Sequence, residues 1–297
     1  MTLPGRWAGF DLSDLLIALA LRLPARLAVG LLVGAGGLRL RVSVRSGALR
    51  RLEEHFTGYV AMAGSDQSPR ELALHHRRLM WLNSCAPAVV AFHRQALPAS
   101  SLQVAGWEHV EQALAGGRGA VLASAHVGIP GLPSAWLIRR GIKVLTLRRP
   151  YLEPLAHTAH GRNLLFGAEA MFVNWEAAPA APLKRAIEVL RENGVASYLL
   201  DGIHGRRGAT VTLFGKRVEL RTGFAEVARL AGAPIIPAFA VEEKQRLLLT
   251  YHKPSWVTDA KTIQEFAETF AALYESTVRA HPHNLNWTQF ERDLFGV

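Results

Sequence analysis

The chain has very little cysteine and no long apolar run, and both absences restrict what it can be. Cys85 is the only cysteine among 297 residues, which excludes a disulfide framework and a zinc site built on several cysteines. No segment offers about 18 or more uncharged apolar residues, so a clean transmembrane span is not predicted. The first residues also lack a secretory signal.

Acidic residues are scarce relative to basic ones, with 24 Asp and Glu against 34 Lys and Arg and a formal net charge of +10. Such an excess favours an acidic partner. The basic residues do not form the blocks typical of nucleic-acid-binding tails, so anionic lipid headgroups or an acidic carrier protein are favoured over nucleic acid. A solvated, arginine-rich surface is the alternative interpretation. The histidines lack metal-ligand spacing, and no metal site is predicted.

Residues 1–100 are predicted to form an N-terminal helical region. Two apolar pieces, Leu15–Leu21 and Leu27–Leu38, are separated by a basic kink that contains Pro24. Short apolar helices around a basic kink can lie in the interface of an anionic membrane, or they can pack on the protein's own core. The abundance of leucine and arginine favours membrane association.

From residue 101 onward, apolar runs typical of strands alternate with helical patterns, which predicts an α/β core as one compact unit over residues 101–297. The expected sheet is mixed and mostly parallel, and it is flanked by helices. Strands are predicted over residues 120–124, 143–147, 195–200, 234–241 and 246–251. Helices are predicted over residues 110–114, 132–138, 183–190, 224–231 and 263–278.

Three predicted strands end in residues that could act together: the first at His126, the second at Arg148-Arg149-Pro150 and the third at Asp201-Gly202. The carboxyl ends of parallel strands meet at one edge of a sheet. There His126 could take a proton from a nucleophile, and a carboxylate on its other ring nitrogen would fix the tautomer. Arg149 could bind phosphate or carboxylate. A buried histidine satisfied by a backbone carbonyl is the alternative interpretation of His126.

A glycine-rich basic segment follows Asp201. Arg206, Arg207, Lys216 and Arg217 predict a mobile cationic rim, with a simple solvated loop as the alternative. The segment lacks the Gly-Lys-Ser/Thr ending of a P-loop, so a nucleoside triphosphate site is not predicted.

The order of several motifs resembles the bacterial lipid A biosynthesis acyltransferases, the lauroyl and myristoyl transferases, and the related phosphatidylinositol mannoside acyltransferases. The resemblance covers nearly the whole chain, and its specificity lies in the shared order and spacing of individually weak motifs. The matching segments are Gly106-Trp107-Glu108-His109, His126-Val-Gly-Ile-Pro-Gly131, Arg148-Arg149-Pro150, Leu200-Asp201-Gly202, Leu213-Phe214-Gly215 with Thr222-Gly223, Gly232-Ala-Pro-Ile-Ile-Pro237 and Pro282-His-Asn-Leu-Asn-Trp287.

This resemblance implies an acyltransferase with a glycerolipid-acyltransferase-like fold. No cofactor is implied: an acyl thioester on acyl carrier protein or coenzyme A would be the co-substrate, and a lipid or small-molecule hydroxyl or amine the acceptor. The protein is expected at the cytoplasmic face of the bacterial inner membrane as a peripheral protein. The implied catalytic residues are His126 and Asp201. The implied substrate-binding residues are Arg149, Gly128, Gly202, Gly215 and Thr222.

The chain departs from the family pattern at the catalytic acid. The family has an acid five positions after the histidine, and Gly131 stands there in this chain. Either Asp201 or Glu153 supplies the carboxylate, or the site has lost acyl transfer and the protein acts as a lipid-binding or complex subunit. A third hypothesis is a thioesterase or an acyl-transfer enzyme for a non-lipid acceptor.

Overall fold

A computed structural model describes residues 12–44, 48–148, 153, 158–173, 180–202 and 207–295. The α-helices of this part of the chain are α1 (Leu12–Ala20), α2 (Ala25–Val44), α3 (Ala48–Ala63), α4 (Pro69–Phe92), α5 (Trp107–Ala115), α6 (Leu132–Arg139), α7 (Ala159–Leu165), α8 (Ala180–Arg191), α9 (Gly223–Ala231), α10 (Ala260–Ala280) and α11 (Gln289–Phe295). The strands are β1 (Leu102–Ala105), β2 (Ala120–Ser124), β3 (Val144–Arg148), β4 (Glu169–Phe172), β5 (Val195–Leu199), β6 (Gly208–Leu213), β7 (Lys216–Arg221), β8 (Ile235–Glu243) and β9 (Arg246–Tyr251).

Seven of these strands form one sheet in the order β1-β9-β8-β2-β5-β3-β4. All neighbouring pairs are parallel except β8 and β9. This confirms the predicted mixed, mostly parallel sheet flanked by helices. Strand β2 lies at its centre and all five of its residues are buried, as expected for a strand covered on both faces.

The N-terminal region is helical where it is described, as predicted. Ser68 caps α4 by accepting a hydrogen bond from the Glu71 backbone N–H, and Pro69 occupies the first turn, where a missing N–H costs little. Trp81 of α4 donates its indole N–H to the Leu32 carbonyl of α2 at 2.8 Å. Among the described residues, no helix is both long and apolar enough to cross a membrane.

The basic segment after Asp201 differs from the prediction. Residues 208–221 form an antiparallel hairpin of β6 and β7 rather than an irregular loop, and Lys216 donates to the Leu294 carbonyl at 2.7 Å. The turn consists of Phe214 and Gly215, both with positive φ (48° and 75°), which is the backbone geometry of a tight two-residue hairpin. Arg206 lies outside the described residues.

Candidate active site

The sheet register brings His126 and Asp201 together. Strands β2 and β5 are parallel neighbours with Ser124 opposite Leu199, and the Leu200 N–H donates to the Ser124 carbonyl at 2.9 Å. His126 and Asp201 each lie two residues beyond a paired position, so the two side chains reach the same edge of the sheet. The predicted convergence of these two strand ends is therefore confirmed.

Asp201 receives two hydrogen bonds from His126. The Nδ1 atom of His126 lies 2.9 Å from Asp201 Oδ1, and the His126 backbone N–H donates to Oδ2 at 2.7 Å. The Asp201 side chain is fully buried, whereas 36% of the His126 side chain is exposed. A buried carboxylate thus holds the imidazole at both its ring and its backbone.

Burial by itself would raise the pKa of the Asp201 carboxyl, because a charge is costly away from water. The charge and the hydrogen bonds of His126 outweigh that effect, and the net pKa of Asp201 lies below its usual value. Asp201 is therefore ionised at neutral pH, so His126 Nδ1 carries a proton and donates it to Oδ1. The lone pair of the neutral imidazole then lies on Nε2.

The loop after β2 is fixed by backbone contacts. Gly128 has φ +65°, its N–H donates to the Asn284 carbonyl at 2.7 Å, and a Cβ there would lie 1.9 Å from the Ala240 carbonyl oxygen. Asn286 holds the same loop through two hydrogen bonds. Its backbone N–H donates to the His126 carbonyl at 3.2 Å, and its side chain donates to the Gly128 carbonyl at 3.2 Å. Only glycine fits at position 128, and the loop that carries His126 is anchored on the C-terminal segment.

His126 opens into a cavity of about 400 Å³. Its wall combines apolar groups such as Leu147 and Leu164 with the hydroxyls of Ser134 and Ser197, whose Oγ atoms lie 3.1 Å apart, and with the basic Arg148. The remaining lining residues come from α4, the β2 loop, β3, α7 and β5: Asn83, Ser84, Pro87, Pro130, Gly131, Thr146, Asn163, Phe166, Tyr198, Leu199 and Gly202. The cavity therefore offers both polar and apolar surface beside the imidazole.

Position 131 is crowded where a Cβ would stand. A Cβ on Gly131 would lie 3.0 Å from Cε1 of Phe166 and 3.3 Å from Cγ of Pro87. Phe166 is 3% exposed and has φ 41°, a left-handed conformation that ends α7. Glu153 is exposed. The carboxylate that contacts His126 is therefore Asp201, which comes from the neighbouring strand.

The other predicted substrate-binding residues fall into three groups. Gly202 lines the cavity, where an added Cβ would meet only the Leu199 carbonyl at 3.6 Å. Gly128, Gly215 and Thr222 are not among the cavity-lining residues: Gly215 forms the hairpin turn, and Thr222 precedes α9 with its N–H donated to the Arg207 carbonyl at 3.1 Å. Arg149 lies outside the described residues. The substrate-binding role of all five stays a prediction.

Glu291 belongs to the site but was not predicted from the sequence. It is fully buried in α11 and its side chain forms a hydrogen bond with Asp201. It accepts the Tyr274 hydroxyl at 2.8 Å and the Thr288 N–H at 2.9 Å, and the Thr288 hydroxyl also donates to it. The Thr288-x-x-Glu291 spacing is a capping-box pattern that the sequence does display, but it does not reveal the tertiary contact with Asp201.

The described residues contain no group of three or more His, Cys, Asp or Glu side chains that could hold a metal ion. Separately, the site offers an imidazole oriented by a buried carboxylate, beside a cavity of mixed polarity. That arrangement can activate a hydroxyl, an amine or water as a nucleophile.

Comparisons with known proteins give a family match and several relatives. Residues 85–292 match the family model described as bacterial lipid A biosynthesis acyltransferase. Two relatives named phosphatidylinositol mannoside acyltransferase, from Mycobacterium tuberculosis strains CDC 1551 / Oshkosh and ATCC 25618 / H37Rv, are each 25% identical over 198 residues, which is 66% of this chain and 62% of the relative. The match thus spans less than two thirds of the length of these two relatives. A relative of the same name from Mycolicibacterium smegmatis is 23% identical over 300 residues, 97% of this chain and 94% of the relative.

Proposed function

Because the chain belongs to the bacterial lipid A biosynthesis acyltransferase family, we propose that it moves a fatty acyl group from an acyl thioester to a hydroxyl or amine of a lipid or glycolipid. The donor thioester is carried by acyl carrier protein or coenzyme A. The observation that carries this proposal is the His126–Asp201 pair, with 2.9 Å between Nδ1 and Oδ1, at the edge of the cavity.

The reaction follows from the direction of the hydrogen bond. Nε2 of His126 takes the proton from the acceptor hydroxyl or amine, whose oxygen or nitrogen then forms a bond to the thioester carbonyl carbon. The tetrahedral intermediate breaks its carbon–sulfur bond, and the departing thiolate takes the proton from the imidazolium. Asp201 stabilises the imidazolium and keeps Nδ1 protonated, without itself accepting the proton.

The composition of the cavity supports an amphipathic substrate. Leu147, Leu164 and Phe166 offer apolar contacts to an acyl chain, whereas Arg148 offers a cation to a phosphate or carboxylate. Arg149, the next residue along the chain, is proposed to bind the same kind of anion. An acidic carrier protein would also be attracted by the net charge of +10.

The N-terminal helices support a peripheral position at an anionic membrane. Leu15 and Leu19 of α1 are 47% and 41% exposed, and Leu27 and Leu38 of α2 are 59% and 64% exposed. The spacing of four residues in α1 and eleven in α2 places each pair on one helix face. The other faces of these helices pack on the core through residues such as Ile17 and Ala28. Arg22 and Arg26 are exposed at the turn between the helices, where they can contact anionic headgroups.

The test is acyl transfer from labelled acyl-carrier-protein and coenzyme A donors to a bacterial membrane lipid extract, comparing the wild type with His126→Ala and Asp201→Asn. We expect transfer by the wild type and a loss of about 10³- to 10⁴-fold in each variant. The loss in Asp201→Asn follows because both Asp201 oxygens receive N–H donors from His126. An asparagine amide presents an N–H₂ group to one of those two donors.

The products distinguish this proposal from its alternatives. Labelled lipid identifies the acceptor, whereas labelled free fatty acid that depends on His126 would indicate a thioesterase. A folded wild type that neither transfers nor releases the acyl group would contradict acyl transfer and favour a lipid-binding or complex subunit. The contact between His126 and Asp201 favours acyl transfer over that last alternative, because a site that has lost catalysis does not need a carboxylate on the imidazole.

A further inference from the structure

A second carboxyl group extends the His126–Asp201 pair. Glu291 of α11 is fully buried and is hydrogen-bonded to Asp201, which is 1% exposed. Three titratable side chains from three separate segments therefore form one chain of contacts: Glu291, Asp201 and His126. The proposed reaction assigns no role to the first of them.

The contact between the two carboxyl groups requires a proton. Ionised carboxylates have only acceptor lone pairs, so a hydrogen bond between two carboxyls exists only when one of them is the acid. Two buried carboxylates in contact would also repel each other strongly. One proton is therefore shared within the pair at neutral pH.

The surroundings place that proton on Glu291. Both Asp201 oxygens receive N–H groups of His126, one of them from a ring that can become positively charged, and these favour the ionised form of Asp201. Glu291 also accepts hydrogen bonds, but its donors Tyr274 and Thr288 are neutral. Burial, together with the charge of Asp201, raises the pKa of Glu291 well above its usual value. The groups that face the two carboxyls are His126 on the β2 loop, Tyr274 on α10 and, within the segment that carries α11, Thr288.

We propose that Glu291 is a positioning residue that, as a carboxylic acid, donates a hydrogen bond to Asp201 and so holds Asp201 in the orientation and charge state that direct His126. The inference rests on the acyl transfer proposed for His126. The proposed hydrogen bond also changes how readily the His126 ring holds its proton. A neutral donor on Asp201 withdraws part of the negative charge that stabilises the imidazolium, so His126 releases its proton more readily in the presence of Glu291 than in its absence.

A purely structural role is the competing explanation, because Glu291 also accepts the backbone N–H of Thr288 at the start of α11. That role accounts for a loss of stability when Glu291 is replaced. It does not account for a protonated carboxyl at neutral pH or for a change in the titration of His126. These two quantities separate the explanations.

The experiment measures both on the purified full chain without substrate. Infrared difference spectra report the carbonyl stretch of a buried carboxylic acid, and NMR reports the titration of the His126 ring, assigned with His126→Ala. The variants are Glu291→Gln, which keeps the shape and a donor without the acid proton, and Glu291→Leu, which removes the donor. Tyr274→Phe is the matched control, since it removes another hydrogen bond of Glu291 but leaves the contact with Asp201.

We expect an acid carbonyl band at neutral pH in the wild type and in Tyr274→Phe, and its loss in Glu291→Gln. The His126 titration midpoint stays within about 0.3 pH unit in Glu291→Gln and Tyr274→Phe, and it rises by about one unit in Glu291→Leu. Thermal melting checks that each variant is folded. If Glu291→Leu does not fold, the band and the midpoint of Glu291→Gln still decide the question.

Two results would overturn the inference. One is a wild type without the acid band at neutral pH, and the other is a Glu291→Gln midpoint about one unit lower, as the removal of a negative charge would cause. Unchanged titration in Glu291→Leu with lowered stability would leave the capping role alone. These measurements need no acyl transfer, so an inactive wild type that still shows the band and the shifts would overturn the proposed function and leave the carboxyl pair in place.

Discussion

At the scale of single residues, the carboxylate that contacts His126 comes from Asp201, whereas position 131 is crowded by its neighbours. A Cβ on Gly131 would lie 3.0 Å from the ring of Phe166 and 3.3 Å from Pro87, and both of these neighbours line the cavity. Asp201 reaches the imidazole from the neighbouring strand instead and leaves the space beside Gly131 to the Phe166 ring. The carboxylate and the shape of the cavity are therefore supplied by different segments.

The substitution Gly131→Asp tests whether position 131 can supply a carboxylate to His126 in place of Asp201. The added Cβ requires the Phe166 ring to shift by a few tenths of an ångström, so we expect the free energy of unfolding to fall by about 1–3 kcal/mol and acyl transfer not to rise. Urea denaturation and the transfer assay measure the two effects. Gly131→Asn is the matched control, because it has the same size without the charge. Transfer that is clearly faster in the aspartate variant than in the asparagine variant would show that a carboxylate at position 131 can also serve His126.

The two central site residues could be predicted from the sequence because they follow apolar runs that end in breaker residues. The sequence cannot give the register, and it is the register that makes Asp201 rather than Glu153 the partner. Glu291 could not be predicted, since its contact with Asp201 joins segments 90 positions apart. The place of Arg149 in the site stays a prediction.

At the scale of elements, segments with a clear period or a buried apolar run were predictable, and two short strands without either were not. Helix α10 and the buried strand β8 carry clear periodicity, whereas β1 and β4 have four residues each and are only partly buried. The hairpin of β6 and β7 was missed because its basic residues suggested a solvated loop. Its alternating burial around Phe214 and Gly215 is nevertheless typical of a half-buried strand pair.

Helices α1 and α2 give the prediction that belongs to this scale. Replacing Leu27 and Leu38 together by glutamine removes two exposed leucines from one face of α2, so we expect binding to phosphatidylglycerol vesicles to weaken at least about tenfold. Vesicle cosedimentation measures the affinity. Leu230→Gln on α9, where the leucine is 49% exposed, is the matched control. Equal weakening in the control, or wild-type protein that does not bind, would contradict the membrane-docking role of α2.

At the scale of the whole molecule, the N-terminal helices and the α/β core meet at the cavity. Helix α4 supplies Asn83, Ser84 and Pro87 to the cavity wall, and α1 contacts α7 through a 2.9 Å hydrogen bond from the Asn163 amide to Asp14. A membrane surface that binds α1 would therefore lie one helix away from the cavity beside His126. The division of the chain near residue 100 into a helical region and an α/β core stays a prediction. Residues from both sides of that boundary line the cavity.

Acid should destabilise the whole molecule through histidines whose pKa values are lowered in the folded protein. Burial lowers the pKa of His76 to about 4, and burial also lowers the pKa values of His55, His75, His252 and His281. The unfolded chain binds these protons near pH 6.5, where the native state does not, so the free energy of unfolding falls as the pH drops from about 6.5 to about 4.

His76 alone should account for about 3 kcal/mol of this loss, because the residue is only 3% exposed and its burial lowers the pKa to about 4. The hydrogen bond between its Nδ1 and the His283 carbonyl, at 3.0 Å, acts in the opposite direction but does not outweigh burial. Urea denaturation at several pH values measures the slope. In His76→Asn, whose amide can keep the hydrogen bond to that carbonyl but does not titrate, the slope between pH 4 and 6.5 should decrease, with little change in stability at pH 8. A slope equal to that of the wild type would mean that His76 does not resist protonation in the folded protein.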